Sequence, residues 1–273
     1  MKIIIENGGS KLDWLIVGED IVRSGVGINF FAPDKEISTQ IEKTFHSLFS
    51  SKNDIEIDFY TAGVSDYYRE KIKKKFSHFS TIQSINIFSD MLAASRALFK
   101  YDSGISCILG TGSNCAYFDG NINHEIVFST GYLLGDEGSG YDLGRRFLQL
   151  YFQKKIPLEL KSIFEQKNNM NRKDLLTDIY RAKNKKFYIA NFSKFLKQHE
   201  NHPFVSNIIN DSFLSFLKKN PFQYKGFNEK KFGFVGSIAF NFSHHLKNIM
   251  KQYDCDLVIL EKPIEYLKNY YLD

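Results

Sequence analysis

Ile3-Ile4-Ile5-Glu6-Asn7-Gly8-Gly9-Ser10-Lys11 and Ile105-Ser106-Cys107-Ile108-Leu109-Gly110-Thr111-Gly112-Ser113-Asn114 have the same form. In each, a short apolar run ends in a turn that carries glycines and a hydroxyl residue, which reads as a buried strand followed by a tight hairpin. Glycine lets backbone N–H groups approach an anion closely and permits positive φ, while Ser and Thr add hydroxyl donors. One such loop is an ordinary hairpin turn. Two of them, each after the first strand of its half of the chain, would grip a phosphate chain from both sides if they faced each other.

The segments around these loops repeat an element order. After the first loop, strands are expected at Trp14–Val17 and Ile21–Ser24. A helix follows from Asp34 with Ile37, Ile41, Phe45 and Leu48 on one face, then an alternating strand through Ile55, Ile57 and Phe59. Ser65 can cap the next helix, Ile85 and Ile87 mark another strand, and Ser89 can cap a helix over Asp90–Phe99. The second half begins at Gly104, with strands at Ile105–Leu109, Cys115–Phe118 and Ile126–Phe128. A helix after Gly140 carries Leu143, Phe147 and Leu150, and several helical segments run to Lys219. A strand at Phe232–Val235, a helix over Ala239–Tyr253, a strand at Leu257–Leu260 and a final helix over Pro263–Tyr270 complete it. With the helices at about 158–219 set aside as an insertion, β-β-β-α-β-α-β-α occurs twice. An α/β fold of two lobes, residues 1–103 and 104–273, is expected, each with a partly parallel sheet and a cleft between the sheets.

A third glycine turn, Gly236-Ser237-Ile238-Ala239, precedes a helix and could border a nucleoside. No GxxxxGK[ST] loop occurs, and no GxGxxG follows the first strand, which disfavours P-loop and dinucleotide folds. Among the acids, Asp90 stands where a strand ends and a helix starts, the place where open α/β sheets hold ligands. A carboxylate there can take a proton from an attacking hydroxyl, or simply favour the helix dipole. Asp136 and Glu137 lie in Gly135-Asp136-Glu137-Gly138-Ser139-Gly140, a loop suited to sugar hydroxyls or to capping the next helix. Glu6, beside the first loop, could orient magnesium through water; Asp13 could cap or pair.

Composition excludes several classes. The chain has 273 residues, 25% of them charged, and a net charge of +5, which is ordinary for a globular protein. The lysine runs Lys71–Lys75 and Lys183–Lys186 fall in amphipathic stretches and read as solvated faces. No nucleic-acid-binding motif occurs, and no apolar run is long enough to span a bilayer. The first residues turn polar after five, unlike a signal peptide. Three cysteines, Cys107, Cys115 and Cys255, form no disulfide pattern and point to a reducing cytoplasm.

Taken together, these loops resemble the BadF/BadG/BcrA/BcrD-type ATPases, and within them the N-acetylglucosamine kinases of the actin-like superfamily, over nearly the whole chain. Glu6–Trp14 resembles the family's first phosphate motif, Gly27–Phe31 its sugar-side segment, and Leu109–Asn114 its second phosphate motif. Ser89-Asp90 matches the segment with the catalytic aspartate. Gly135–Tyr141 followed by Leu143-Gly144 is the most specific match, and Gly236–Ala239 and Pro263-Ile264-Glu265 resemble the adenosine and closing segments.

The resemblance implies a two-lobed, ribonuclease H-like actin fold that uses ATP and Mg2+ to phosphorylate an amino sugar, N-acetylglucosamine, at its 6-hydroxyl. It implies Asp90 as general base and Asn29, Gly63, Asp90 and Asp136 as sugar contacts. Gly8, Gly9, Ser10, Lys11, Gly110, Thr111, Gly112 and Ser113 would hold phosphates, Gly236 and Ser237 the adenosine. Glu6 would hold magnesium through water, at a position where many bacterial members carry Asp and animal-type kinases carry Glu. Related kinases suggest a homodimer. Two other readings stay within reach: an ATPase that activates a 2-hydroxyacyl-CoA dehydratase-type enzyme, and a non-catalytic sugar or nucleotide sensor.

Overall fold

Ile3, Ile4 and Ile5 have no exposed surface, nor do Ile105, Cys107 and Leu109, as expected of central strands covered on both faces. In the computed structural model, which describes residues 1–8, 11–49, 54–63, 65–168, 171–255 and 257–272, each run is the middle strand of its own five-stranded sheet. The first sheet is built from β1 (Lys2–Asn7), β2 (Lys11–Ile16), β3 (Arg23–Val26), β4 (Ile55–Thr61) and β5 (Ile82–Ser89), in the order β3-β2-β1-β4-β5. Helices α1 (Asp34–Phe49), α2 (Asp66–Phe76) and α3 (Asp90–Phe99) connect its strands or follow them. β1 pairs antiparallel with β2 and parallel with β4, and β4 pairs parallel with β5.

The second sheet repeats this plan. It contains β6 (Gly104–Leu109), β7 (Ser113–Phe118), β8 (Asn123–His124), β9 (Phe232–Val235) and β10 (Leu257–Leu260), in the order β10-β9-β6-β7-β8, with the same parallel and antiparallel pairings. Between β8 and β9 come α4 (Gly131–Leu134), α5 (Gly140–Phe152), α6 (Leu158–Asn168), α7 (Arg172–Arg181), α8 (Lys185–Ala190), α9 (Ser193–Gln198) and α10 (Pro203–Lys219). Between β9 and β10 come α11 (Ser237–Asn241) and α12 (Ser243–Lys251), and α13 (Ile264–Leu272) follows β10. Each sheet is mixed and packed with helices, an α/β arrangement that occurs twice.

The chain divides into two compact units, residues 1–101 with 262–273, and residues 102–261. The lobe boundary expected at 103/104 therefore misplaces α13, which the sequence reading assigned to the second half. It packs on α3, β1 and β2 of the first unit, with Ile264 and Leu267 buried. Its Tyr271 hydroxyl donates to the buried Asp58 carboxylate at 2.6 Å and lies 2.5 Å from the Tyr60 hydroxyl, while Lys2 and Asn86 complete the carboxylate's partners. A buried carboxylate needs such partners, and α13 supplies one of them.

Other expectations shift as well, and β2 begins three residues before the expected Trp14, at Lys11. The third strand of the second half is Asn123–His124 rather than Ile126–Phe128. The Asp119 carboxylate caps the turn by accepting from the Asn121 and Ile122 amides, both at 2.9 Å, so pairing starts at once with Phe118 opposite Asn123. Ile126 and Phe128 then fall beyond the ladder, 60% and 80% exposed. The expected helix over Ala239–Tyr253 is two, broken at Phe242, whose ring is buried against Phe213 with centroids 6.3 Å apart. In the first unit, β3 runs two residues later than expected.

The helical insertion belongs to the second unit's core. Phe164 and Phe195 pack on Phe147 of α5 at centroid distances of 4.9 and 5.1 Å, and Phe213 and Phe216 of α10 have no exposed surface. α5 and α8 meet at Gly144, where an added Cβ would lie 2.0 Å from the Ile189 carbonyl oxygen. Backbone cannot yield as a flexible side chain does, so Gly144→Ala should destabilise the second unit by about 2–3 kcal/mol. A fall in urea midpoint measures this; an unchanged midpoint would mean that α8 moves aside at no cost.

Candidate functional site

In both units, the residues singled out from the sequence collect at the carboxyl ends of parallel strands, where open α/β sheets hold ligands. In the first unit β1 ends at Asn7, β4 at Thr61 and β5 at Ser89. Gly8 opens the β1–β2 turn and Lys11 begins β2, while Gly9 and Ser10 lie outside the described residues. The Asn7 side chain ties the strand ends together. Its Nδ2 donates to the Ile28 carbonyl at 3.0 Å and to Thr61 Oγ1 at 3.2 Å, and its Oδ1 accepts from the Ile28 amide at 2.8 Å. This one buried amide thereby fixes the segment bearing Asn29 and the end of β4, from which Ala62 and Gly63 continue. Lys71, in a run expected to face water, donates to the Phe30 carbonyl at 2.9 Å and pairs with Asp34, so it anchors the same segment. The exposed Asn29 accepts from the Phe31 amide through Oδ1 at 3.0 Å, which sets its own turn. Gly63 is exposed.

Three carboxylates gather here. Antiparallel register puts Glu6 opposite Asp13, and Asp90 opens α3 next to Ser89, whose hydroxyl caps the helix at the Leu92 amide. Asp90 itself accepts from the Met91 amide at 2.9 Å. Asp13 accepts from the Ser24 hydroxyl and pairs with Lys11 at 2.9 Å. Burial pushes the Glu6 carboxyl up to about 8, with Asp13 and Asp90 adding repulsion; the Ile264 backbone at the start of α13 and Lys11 oppose the rise. The final helix thus presents its first turn to Glu6, a placement no local signal announces.

The Glu6 shift carries a sign. From about pH 4.5 to about pH 8 the folded chain holds a proton that the unfolded chain has released, so this group makes stability fall as pH rises through that window. Glu6→Gln stays neutral throughout. Its melting temperature should therefore gain on the parent's between about pH 5 and about pH 8.5. A pH-independent difference in thermal melts would show that Glu6 titrates at its ordinary value.

The second unit draws its three glycine loops together. The Gly140 amide donates to the Gly110 carbonyl at 2.8 Å and the Tyr141 amide to the Thr111 carbonyl at 3.3 Å, locking the signature loop to the β6–β7 turn. Gly236, which follows β9 and precedes Ser237 at the start of α11, has φ of +113°, and an added Cβ there would lie 2.5 Å from the Leu109 carbonyl oxygen. Only glycine permits both that backbone and that approach. The Ser113 amide donates to Asp136 Oδ1 at 3.2 Å, and Asp136 itself adopts φ of +61°. Both acids of the loop are met by lysines from the helical insertion: Asp136 by Lys186 at 2.8 Å and Glu137 by Lys219 at 2.5 Å.

Sequence reasoning missed the carboxylate that organises this unit. Asp142, 1% exposed, receives the Gly138 amide at 3.3 Å, the Ser212 hydroxyl at 2.7 Å, Arg145 at 2.6 Å and Arg146 at 2.7 Å. Its position four residues before Arg146 on a helix was the available signal. The cysteines Cys107 and Cys115 face each other across β6 and β7 with sulfurs 3.7 Å apart, both buried and both free, and burial raises the Cys107 thiol. Among the described residues no group of three His, Cys, Asp or Glu could cage a metal, and no helix is long and apolar enough to cross a membrane.

No family model matches the chain. Solved structures do. A candidate N-acetylglucosamine kinase from Porphyromonas gingivalis is 32% identical, with a TM-score of 0.91 over 99% of this chain and 98% of that one. A candidate N-acetylglucosamine kinase from Chromobacterium violaceum aligns at 14% identity and a TM-score of 0.72, covering 98% of both. The MreB5 protein of Spiroplasma citri, solved bound to ADP, shares the fold at 11% identity and a TM-score of 0.56, over 99% of this chain and 94% of that one.

Proposed function

The chain belongs to the family of N-acetylglucosamine kinase-like proteins with the BadF/BadG-type, actin-like ATPase fold, and from that premise we propose that it transfers the γ-phosphoryl group of ATP to an amino sugar, N-acetylglucosamine, at the 6-hydroxyl. The observation that supports this most is the crowding of Glu6, Asp13 and Asp90 at the strand ends of the first unit, with Glu6 held protonated to about pH 8. Such a cluster is short of positive charge. It suits a divalent cation that is carried in by a nucleotide and keeps several of its waters, rather than one caged by protein.

In this reading Asp90 accepts the proton of the sugar hydroxyl as its oxygen bonds to the γ-phosphorus and ADP departs. Transfer of a phosphoryl group asks for position and charge neutralisation more than covalent help. Magnesium held through water by Glu6 would supply charge neutralisation to the transferring group. Asn29, Gly63 and Asp136 bind the sugar. Gly8, Gly9, Ser10 and Lys11, with Gly110, Thr111, Gly112 and Ser113, bind phosphates, and Gly236 and Ser237 border the adenosine. Cytoplasmic location and a homodimer complete the proposal. The units keep the boundaries found here rather than 103/104.

A coupled assay of ADP release over a panel of hexoses and amino sugars tests this reading. N-acetylglucosamine should give the highest kcat/KM, with its 6-phosphate as product. ADP release that no sugar stimulates would discard the kinase assignment in favour of an ATPase, and no ADP release with any sugar would favour a non-catalytic binding protein.

A further inference from the structure

Lys186 stands in the run Lys183–Lys186, on a helix of the insertion, yet it does not simply face solvent. Its Nζ lies 2.8 Å from Asp136 Oδ2, and it would sit 2.5 Å from a Cβ added to Gly112, so the ammonium lies against the tip of the β6–β7 turn. The Tyr132 ring lies beneath it, 5.9 Å from centroid to Nζ. Asp136 is the reason a cation is needed at this spot. Its side chain is 4% exposed, and Oδ2 receives no aligned hydrogen bond, so among the described residues its charge is met there by Lys186. A buried carboxylate against a phosphate-binding turn repels phosphate unless it is neutralised.

The turn itself has donors to spare. Gly110 N donates to the Gly112 carbonyl and Ser113 N to Asp136, whereas the amides of Thr111 and Gly112 meet no acceptor among the described residues. Two adjacent free amides at a glycine turn form an anion-binding concavity. Lys186 is 30% exposed, so its ammonium, with three donors, can keep Asp136 and still offer a donor to an anion at the turn.

We infer that Lys186 is a phosphate-binding residue of the nucleotide site, whose ammonium stays paired with Asp136 and also contacts the phosphate chain when nucleotide is bound. This deepens the kinase reading above and rests on its nucleotide half alone. The helical insertion thereby contributes a charge to the site, and does so from outside the glycine motifs. Because the lysine is a point charge, its effect depends on how many phosphates the ligand carries and on salt.

Titration calorimetry of the whole protein with ADP and with adenosine provides the test. Lys186→Met should weaken ADP binding by at least about 10-fold and leave adenosine binding within about 2-fold of the parent. Lys186→Arg should restore most of the ADP affinity, and the parent's ADP affinity should fall more steeply with salt than the Met variant's. Equal loss for ADP and adenosine would reveal a purely structural ion pair, and unchanged ADP affinity in Lys186→Met would also overturn the inference. If Lys186→Met does not fold, Lys186→Gln with the same two ligands decides. A parent protein that binds no ADP sinks both this inference and the nucleotide reading. ADP binding without sugar turnover sinks the kinase assignment only.

Discussion

Asp90→Asn lowers kcat for sugar phosphorylation by about 10²- to 10⁴-fold, the range that a positioned general base contributes. The substitution is nearly isosteric, and the amide oxygen can still accept from the Met91 amide, so the start of α3 and its Ser89 cap persist. ADP affinity should stay within about 2-fold of the parent, which separates loss of proton acceptance from loss of binding. A second consequence follows from the carboxylate crowding: with Asp90 neutral, one source of repulsion on Glu6 disappears and Glu6 ionises at lower pH. Steady-state kinetics with N-acetylglucosamine across pH, together with ADP calorimetry, reads both effects. Turnover within about 3-fold of the parent would remove Asp90 from its role.

Asp142→Ala costs about 3 kcal/mol of stability in the second unit, at the lower end of the range for breaking a buried ion pair. The lower end is chosen because Arg145 and Arg146 are 39% and 26% exposed and can regain water once their partner is gone. The Gly138 amide and the Ser212 hydroxyl lose a shared acceptor as well. At this chain length the loss corresponds to a fall of about 6–12 °C in the melting temperature of that unit. Asp142→Asn keeps the shape and one acceptor, and should fall between the parent and the Ala variant. Because Gly138 belongs to the loop that carries Asp136, the Ala variant should also raise the KM for sugar. Calorimetric scans with kinetics on the folded fraction check both, and a shift below about 2 °C would show that Asp142 is not the loop's anchor.

These two residues were not equally visible beforehand. Asp90 sits at a strand-to-helix junction, and Ser89 and Ser65 cap helices through hydroxyls three residues away. Signals of this kind are complete within a few residues and survive into the structure unchanged. The same holds for the isoleucine run of β1 and the glycine turn after β6, because buried strands and tight turns impose their residue types locally. Where two local signals competed, the stronger geometry prevailed: the Asp119 turn fixed the start of β8 against the apolar pull of Ile126 and Phe128.

The partners of the charged groups were a different matter. Nothing near Lys186 indicates that its ammonium meets Asp136, nothing near Asn7 names Ile28 and Thr61, and nothing near Tyr271 points to Asp58. From sequence alone came the doubled β-β-β-α-β-α-β-α plan, the glycine turns, the carboxylate at the head of α3 and the family they resemble. Tertiary structure alone decided that α13 belongs with the first unit, that Asp142 braces the signature loop, and that a lysine from the insertion neutralises Asp136. The division has one physical cause. Periodicity and capping act over one or two turns of chain, whereas the cost of burying a charge is settled by whichever distant residue the folded chain brings beside it.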